Sequence, residues 1–204
     1  FVPEANSRMI MLETGEIDLA RDLLPLDFKK ISEDTKFTTV EVETPSNMFL
    51  GFDLRNELLA DKRVRQAIAY AINNEDLVKT VFNGSASVAT SPVPKITTGH
   101  NENSNPYTQN IEKAKELLAE AGYKDTDNDG YVDKDGKNLE ISVYGTAGGN
   151  TRANSTVAEL LESQLKTAGI KANIKIAENL DEIKKNGEFD LLFQNWQTVS
   201  TGDS

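Results

Sequence analysis

The densest run of hard oxygen donors in the chain is Asp125, Asp127, Asp129, Gly130, Tyr131 and Asp133. These residues fall at positions 1, 3, 5, 6, 7 and 9 of an EF-hand-like loop, in which oxygen ligands surround calcium and the glycine permits a sharp turn. Position 12, where a bidentate Glu belongs, holds Gly136, and Asp135 stands beside it as a substitute in a shortened loop. Two readings follow: a structural calcium held by Asp125, Asp127, Asp129, Tyr131 and Asp133, or a solvated acidic turn. No other cofactor is required. A second candidate is the glycine-rich turn Gly145–Thr151, whose backbone donors at a helix start can hold an anion with Arg152 close by. Its spacing fits neither the dinucleotide fingerprint nor a phosphate-binding loop. A nucleotide- or phosphate-binding α/β enzyme domain built on this turn is the functional alternative from another class. The third candidate is the segment Phe189–Gln197, an apolar strand that exits into Asn195 and the only tryptophan, Trp196. It either sets a flat apolar surface and an amide at the edge of a small-ligand cleft, or buries the indole as plain core.

The familiar catalytic sets are missing. The single histidine, His100, sits in polar coil where a solvated role is expected, cysteine is absent, and no serine stands in a nucleophile-elbow context. The carboxylates mark no acid–base pair, so an enzyme is not expected. A net charge of -11 and a pI near 4.7 disfavour nucleic acid and anionic membranes, which need clustered Lys and Arg. There is no run of 18 apolar residues and no signal peptide. The abrupt start at Phe1-Val2-Pro3 and finish at Gly202-Asp203-Ser204 lead us to expect a piece of a longer protein.

Periodicity predicts the elements that must position these residues. Asp61 caps a helix whose apolar face is Val64, Ala67, Ile68, Ala71 and Ile72. Asn73 opens a second, with Leu77, Val78, Val81 and Phe82, that stops at Asn83-Gly84. Upstream, a helix over Ala5–Thr14 halts at Gly15 before an apolar strand Ile17–Ala20, and Pro25 opens a short helix. Phe37–Glu43 alternates as a strand, and Asn47–Asp53 reads as a buried strand. Ser85–Gln109 is a long polar loop. Beyond it come a helix capped by Asn110 and stopped by Gly122, a strand Leu139–Tyr144, and a helix from about Arg152 to Gly169. A half-exposed strand Ile170–Ile176, a short helix Leu180–Lys185 and the strand Phe189–Trp196 complete the order. Gly15-Glu16-Ile17-Asp18-Leu19 and Gly187-Glu188-Phe189-Asp190-Leu191 share one pattern, in which each aspartate can bond backbone donors as a strand begins. That pattern predicts similar roles for the two ends in one sheet of an α/β layer structure.

The order Asp61-Lys62-Arg63-Val64-Arg65-Gln66-Ala67-Ile68-Ala69-Tyr70-Ala71-Ile72-Asn73, with Leu77-Val78 and Phe82-Asn83-Gly84, resembles the signature of the extracellular solute-binding proteins of family 5. Ala5-Asn6-Ser7-Arg8, Gly15-Glu16-Ile17-Asp18, Phe189-Asp190-Leu191 and Trp196 extend the likeness along nearly the whole chain. The resemblance implies a periplasmic-binding-protein-like lobe (type II, cluster C), a mixed sheet flanked by helices, with residues 1–204 forming a single α/β lobe of a larger two-lobed receptor. It implies the non-catalytic substrate-binding component of an ABC importer, which captures short peptides or, as the alternative, nickel or a nickel chelate. Its partners are then the solute, the first lobe, and the permease and ATPase complex, and its place is extracellular or periplasmic, anchored as a lipoprotein. By the same resemblance Trp196 lines the ligand chamber with Asn195 beside it. The chain departs from the peptide-binding pattern at Val199, where many such receptors carry the aspartate that pairs with the ligand's amino terminus. Asp203 and Ser204 resemble the hinge's Asp-Pro element, with serine in the proline's place.

Overall fold

The computed structural model describes residues 2–146 and 151–197. In chain order they form α1 (Ala5–Thr14), α2 (Pro25–Ser32), β1 (Ser46–Phe52), α3 (Glu57–Ala60), α4 (Lys62–Ala71), α5 (Asn74–Phe82) and α6 (Ile111–Glu120). There follow β2 (Asp133–Lys134), β3 (Lys137–Asn138), β4 (Glu140–Thr146), α7 (Thr151–Thr167), β5 (Lys171–Ala177), α8 (Asp181–Asn186) and β6 (Leu191–Gln197). Three helices start on the side chains that the sequence points to. Asp61, Asn73 and Asn110 accept from the backbone N–H of Arg63, Asp76 and Lys113 at 2.8, 2.9 and 2.9 Å, each meeting a donor that the first turn leaves unpaired. Asn83 closes α5 in the left-handed region, at φ 47°.

The main sheet has the order β1-β6-β4-β5, with β4 parallel to both β5 and β6 and β1 antiparallel to β6. Leu50 opposite Phe193, Phe193 opposite Gly145 and Gly145 opposite Ile176 fix one face. By the period of two, Met48, Phe52, Ile141, Val143, Ala172, Ile174 and Leu191 share it. These side chains join the apolar stripes of α4, α6 and α7 in one core. Gly145 belongs to that core face: a Cβ there would lie 2.5 Å from Phe193 Cδ1 and 3.1 Å from Ile176 Cδ1, so only glycine lets the phenyl ring cross the strand. The connections β4–α7–β5 and β5–α8–β6 step in opposite directions across the sheet, so right-handed crossovers put α7 and α8 on opposite faces. Leu180 and Leu192, buried yet outside the main core, match that placement.

The N-terminal part differs from the sequence expectation. Ile17–Ala20 and Phe37–Glu43 have no sheet partner among the described residues, and Leu19, Val40 and Val42 are 79%, 77% and 74% exposed. Alternation marks a segment suited to a ladder, but the ladder needs a neighbouring strand to supply donors and acceptors. The pattern shared by the two ends therefore separates: Gly187-Glu188-Phe189-Asp190 leads into β6, whereas Gly15-Glu16-Ile17-Asp18 enters no sheet. Met9 and Ile31 are buried but lie outside the core that holds the sheet together. The hairpin β2–β3, two residues a side, was hidden inside the acidic loop because so short a strand has no period to read.

Candidate functional site

Trp196 lies near the end of β6, paired with Asn47 and facing away from the core. Its ring centroid is 6.4 Å from that of Phe49, tilted at 49°, and the residue is 55% exposed, which removes the reading of it as plain core. Asn195, one residue earlier, projects to the other face by the alternation of the strand and accepts from Ser46 Oγ at 2.5 Å. The structure thus separates the two residues that the sequence grouped. What stands beside Trp196 is Phe49 and Asn47. The Asn47 amide donates to the carbonyls of Ser91 and Pro92 at 2.9 and 3.0 Å, tying the long polar loop to the rim of the sheet. His100 is part of that loop's frame and not simply solvated: its Nδ1 lies 2.8 Å from the Val93 carbonyl, which accepts. The sequence analysis missed Phe49 and Asn47 as neighbours of Trp196. Their signal is the β1–β6 register, which no local pattern contains.

On the face that carries Trp196, Leu192 is buried while Trp196, four residues on, is exposed. A concavity of about 370 Å³ is lined by Glu13, Lys30, Ile31 and Phe37, and another of about 190 Å³ by Phe52, Arg65, Gln66 and Tyr107; neither includes Trp196.

At the opposite end of β6 a buried carboxylate fixes how the strands meet. Asp190 accepts from the Ser142 backbone N–H at 2.6 Å and from the Asn56 side-chain amide, while Asn56 Oδ1 caps α3 by accepting from Leu58 N at 2.9 Å. The Asp53 N–H donates to the Asp190 carbonyl at 2.9 Å, and the Asp53 carboxylate receives Arg55 Nε and Nη2 at 2.8 and 2.6 Å. Burial pushes the Asp190 carboxyl above the usual range against the Ser142 hydrogen bond, and the negative Asp53 adds to the rise. The Arg55 guanidinium holds Asp53 below it. The group makes a structural latch between β1, β4 and β6.

The acidic loop folds much as the spacing predicts, with one member turned aside. Asp125, Asp127 and Asp133 place carboxylate oxygens within 4.8 Å of one another. Asp129 accepts from Tyr131 N at 2.8 Å and from Asn138 Nδ2 at 2.9 Å, bonds that hold its carboxyl below the usual range. Asp125 accepts from Gly130 N at 3.1 Å, and Asp133, 6% exposed, accepts from Thr126 N and Oγ1 at 2.8 and 2.9 Å. Asp135, at φ 54°, sits with Gly136 in the tight turn of the β2–β3 hairpin. The loop's own donors therefore close it. In excess EDTA the protein is expected to keep the same cooperative melting transition by circular dichroism as untreated protein; loss of folded signal on chelation would show that the loop depends on a metal.

The second candidate, the glycine-rich turn, divides. Gly145 serves the core, while residues 147–150 of the Gly145–Thr151 turn, the Arg152 side chain and Val199, Asp203 and Ser204 lie outside the described residues. Among the described residues no helix is long and apolar enough to cross a membrane.

Comparison with known proteins bears on what this exposed aromatic does. The profile described as bacterial extracellular solute-binding proteins, family 5 Middle, matches residues 1–204. The chain is 31% identical over 211 residues to the oligopeptide-binding protein AppA of Bacillus subtilis, covering 99% of this chain and 38% of that protein. It is 33% identical over 199 residues to a probable di/tripeptide-binding protein 5 of Pseudomonas aeruginosa, covering 95% of this chain and 35% of the relative. The structure of AppA in complex with a nonapeptide superposes with a TM-score of 0.82 at 30% identity, over 99% of this chain and 41% of that one. NikA from Brucella suis in complex with Fe(III)-EDTA superposes with a TM-score of 0.85 at 25% identity, over 97% of this chain and 41% of that one. The chain thus spans well under half the length of the relatives it matches.

Proposed function

The chain belongs to the bacterial extracellular solute-binding proteins of family 5, and from that premise we propose that it is one lobe of the substrate-binding component of an ABC importer, presenting Trp196 to a short peptide. The observation that carries this reading is an aromatic pair at the end of the sheet, an exposed Trp196 beside a half-buried Phe49, outside both of those concavities. Large exposed aromatics are what a ligand or a closing partner covers. A second lobe then supplies the other wall, and closure buries the solute between the two. The relatives' greater length supports a receptor of which this chain is a part. So do Leu19, Val40 and Val42, whose exposed side chains on unpaired backbone offer a docking edge to the remainder. On this reading the lobe's body begins at Ser46, and residues 2–45 pack on the rest of the receptor.

Peptide is the preferred solute because relatives over 30% identical bear oligopeptide- and di/tripeptide-binding names. The likeness to NikA in its Fe(III)-EDTA complex supports a metal chelate as the second reading. The receptor is non-catalytic, works outside the cytoplasmic membrane with a permease and ATPase, and is held there by a lipid anchor. Titration calorimetry tests the central point. Short peptides should bind this chain alone only weakly, at about millimolar Kd, because half of the contacts are missing. Nanomolar binding by the chain alone would contradict a half-site.

A further inference from the structure

Arg65 stands apart from the other arginines whose side chains are described. Arg55 and Arg63 each lay the Nε–Nη2 edge of the guanidinium on a carboxylate, that of Asp53 and Asp61 respectively. Arg8 gives that edge to the carbonyls of Arg21 and Asp22, and Arg21 Nε lies 3.6 Å from the Asp22 carboxylate. In Arg65 only Nη1 is engaged. It donates to the carbonyls of Leu59 and Ala60 at 2.7 and 3.0 Å, acceptors that the last turn of α3 leaves unpaired. Those two bonds hold the group and leave the edge that matches a carboxylate, two parallel N–H donors, without a partner among the described residues.

The same side chain lines the concavity of about 190 Å³, with Lys62, Gln66, Ala69, Phe52 and Tyr107. Residues 62, 65, 66 and 69 share the face of α4 opposite its core stripe of Val64, Ala67, Ile68 and Ala71. Phe52 ends β1, and Tyr107 comes from the long polar loop. Gln66 Nε2 donates to the Tyr107 hydroxyl at 3.4 Å, and the Tyr70 ring packs edge-on against Tyr107 at 5.1 Å between centroids, so the ring is held in place. Lys62 adds a second positive charge, and neither it nor Arg65 joins an ion pair among the described residues. In a chain with 33 acidic and 22 basic side chains, two unneutralised cations beside two aromatic rings call for an explanation.

We propose that this concavity binds a small organic anion, a carboxylate carried on a single ring, with the carboxylate on the free edge of Arg65 and beside Lys62, and the ring against Phe52 and Tyr107. The size suits such a ligand, since a cavity of about 150 Å³ already accepts benzene. The site is separate from the Trp196 surface. Phe52 lies five residues along β1 from Asn47, the partner of Trp196, roughly 17 Å away. The inference therefore stands whatever ligand Trp196 meets.

The test titrates the isotope-labelled chain with benzoate and follows the backbone amide signals by NMR. Benzoate should shift the signals of residues 62–69 and of Tyr107 along one saturable curve at about millimolar Kd, the range open to so small a ligand. Benzamide, equal in shape but uncharged, should bind about tenfold more weakly, the difference that charge-assisted hydrogen bonds make. Arg65→Lys keeps the charge but loses the fork, and should weaken benzoate by a similar factor. If that variant fails to fold once the α3 carbonyls are released, Lys62→Glu carries the test. Lys62 is exposed and an acidic residue suits the first turn of α4, so the fold should stay while the advantage of benzoate over benzamide disappears. Trp196→Ala should leave benzoate affinity unchanged. Equal affinity for benzoate and benzamide, full benzoate affinity in a folded Arg65→Lys, an advantage that survives Lys62→Glu, shifts confined to other residues, or loss of benzoate binding in Trp196→Ala would each overturn the proposal.

Discussion

Replacing Asp190 by alanine is expected to lower folding stability by about 3 kcal/mol, because it strips a buried charged acceptor from two donors that then have no partner. The donors are the Ser142 backbone N–H, at 2.6 Å, and the Asn56 amide, whose own carbonyl oxygen caps α3. Loss of the carboxylate thus loosens β6 from β4 and the α3 corner from both. Asp190→Asn keeps an acceptor for Ser142 and is expected to cost less. Urea denaturation followed by circular dichroism gives both values, and a loss under 1 kcal/mol for the alanine variant would show that the latch is idle.

The same site predicts a pH dependence. The Asp190 pKa is raised in the folded state by burial, so its contribution to stability is fully present below the unfolded carboxylate pKa and declines as pH rises through the folded value. The stability of the unaltered chain relative to Asp190→Asn should therefore fall as pH rises above about 4 and then level off. Asp53, Asp61 and Glu140 act in the other direction. Hydrogen bonds from Arg55, Arg63 and Lys171 lower their pKa values, so what they contribute is present above the unfolded pKa and lost on acidification. Comparison with Asp190→Asn cancels the contributions of Asp61 and Glu140, which do not act on Asp190, and exposes the one of opposite sign together with its coupling to Asp53.

The second large effect is on binding. Trp196→Ala should reduce the peptide affinity of the complete receptor by about 30-fold, or about 2 kcal/mol, the size of an aromatic anchor truncated at the centre of an interface. Stability should hardly change, since more than half of the residue already meets solvent in the free chain. Calorimetry and thermal melting on the same variant separate the two quantities. A variant that binds normally would remove Trp196 from the ligand surface, and one that melts many degrees lower would return it to the core.

Much of this architecture is legible locally because its causes are local. The caps at Asp61, Asn73 and Asn110, the left-handed stop at Asn83 and the alternation of β5 are each set by a few neighbouring residues. Asp190 was legible too, since an aspartate before a strand seeks backbone donors, and it found Ser142. What failed depended on distant chain. Phe37–Glu43 has the composition of a strand but no ladder to join among the described residues, and Gly145 resembles a phosphate-turn glycine until Phe193 is seen lying across it. Pairing Asn195 with Trp196 overlooked strand alternation, which sends them to opposite faces and gives Trp196 the neighbours Phe49 and Asn47 from the β1 strand.

The most direct test of whether Trp196 stands exposed, awaiting a ligand, is the fluorescence of this single indole. Long-wavelength, solvent-like emission that iodide quenches readily is expected from the free chain, moving to shorter wavelength with protection from iodide as peptide binds. Short-wavelength emission in the free chain, out of reach of the quencher and indifferent to peptide, would contradict it.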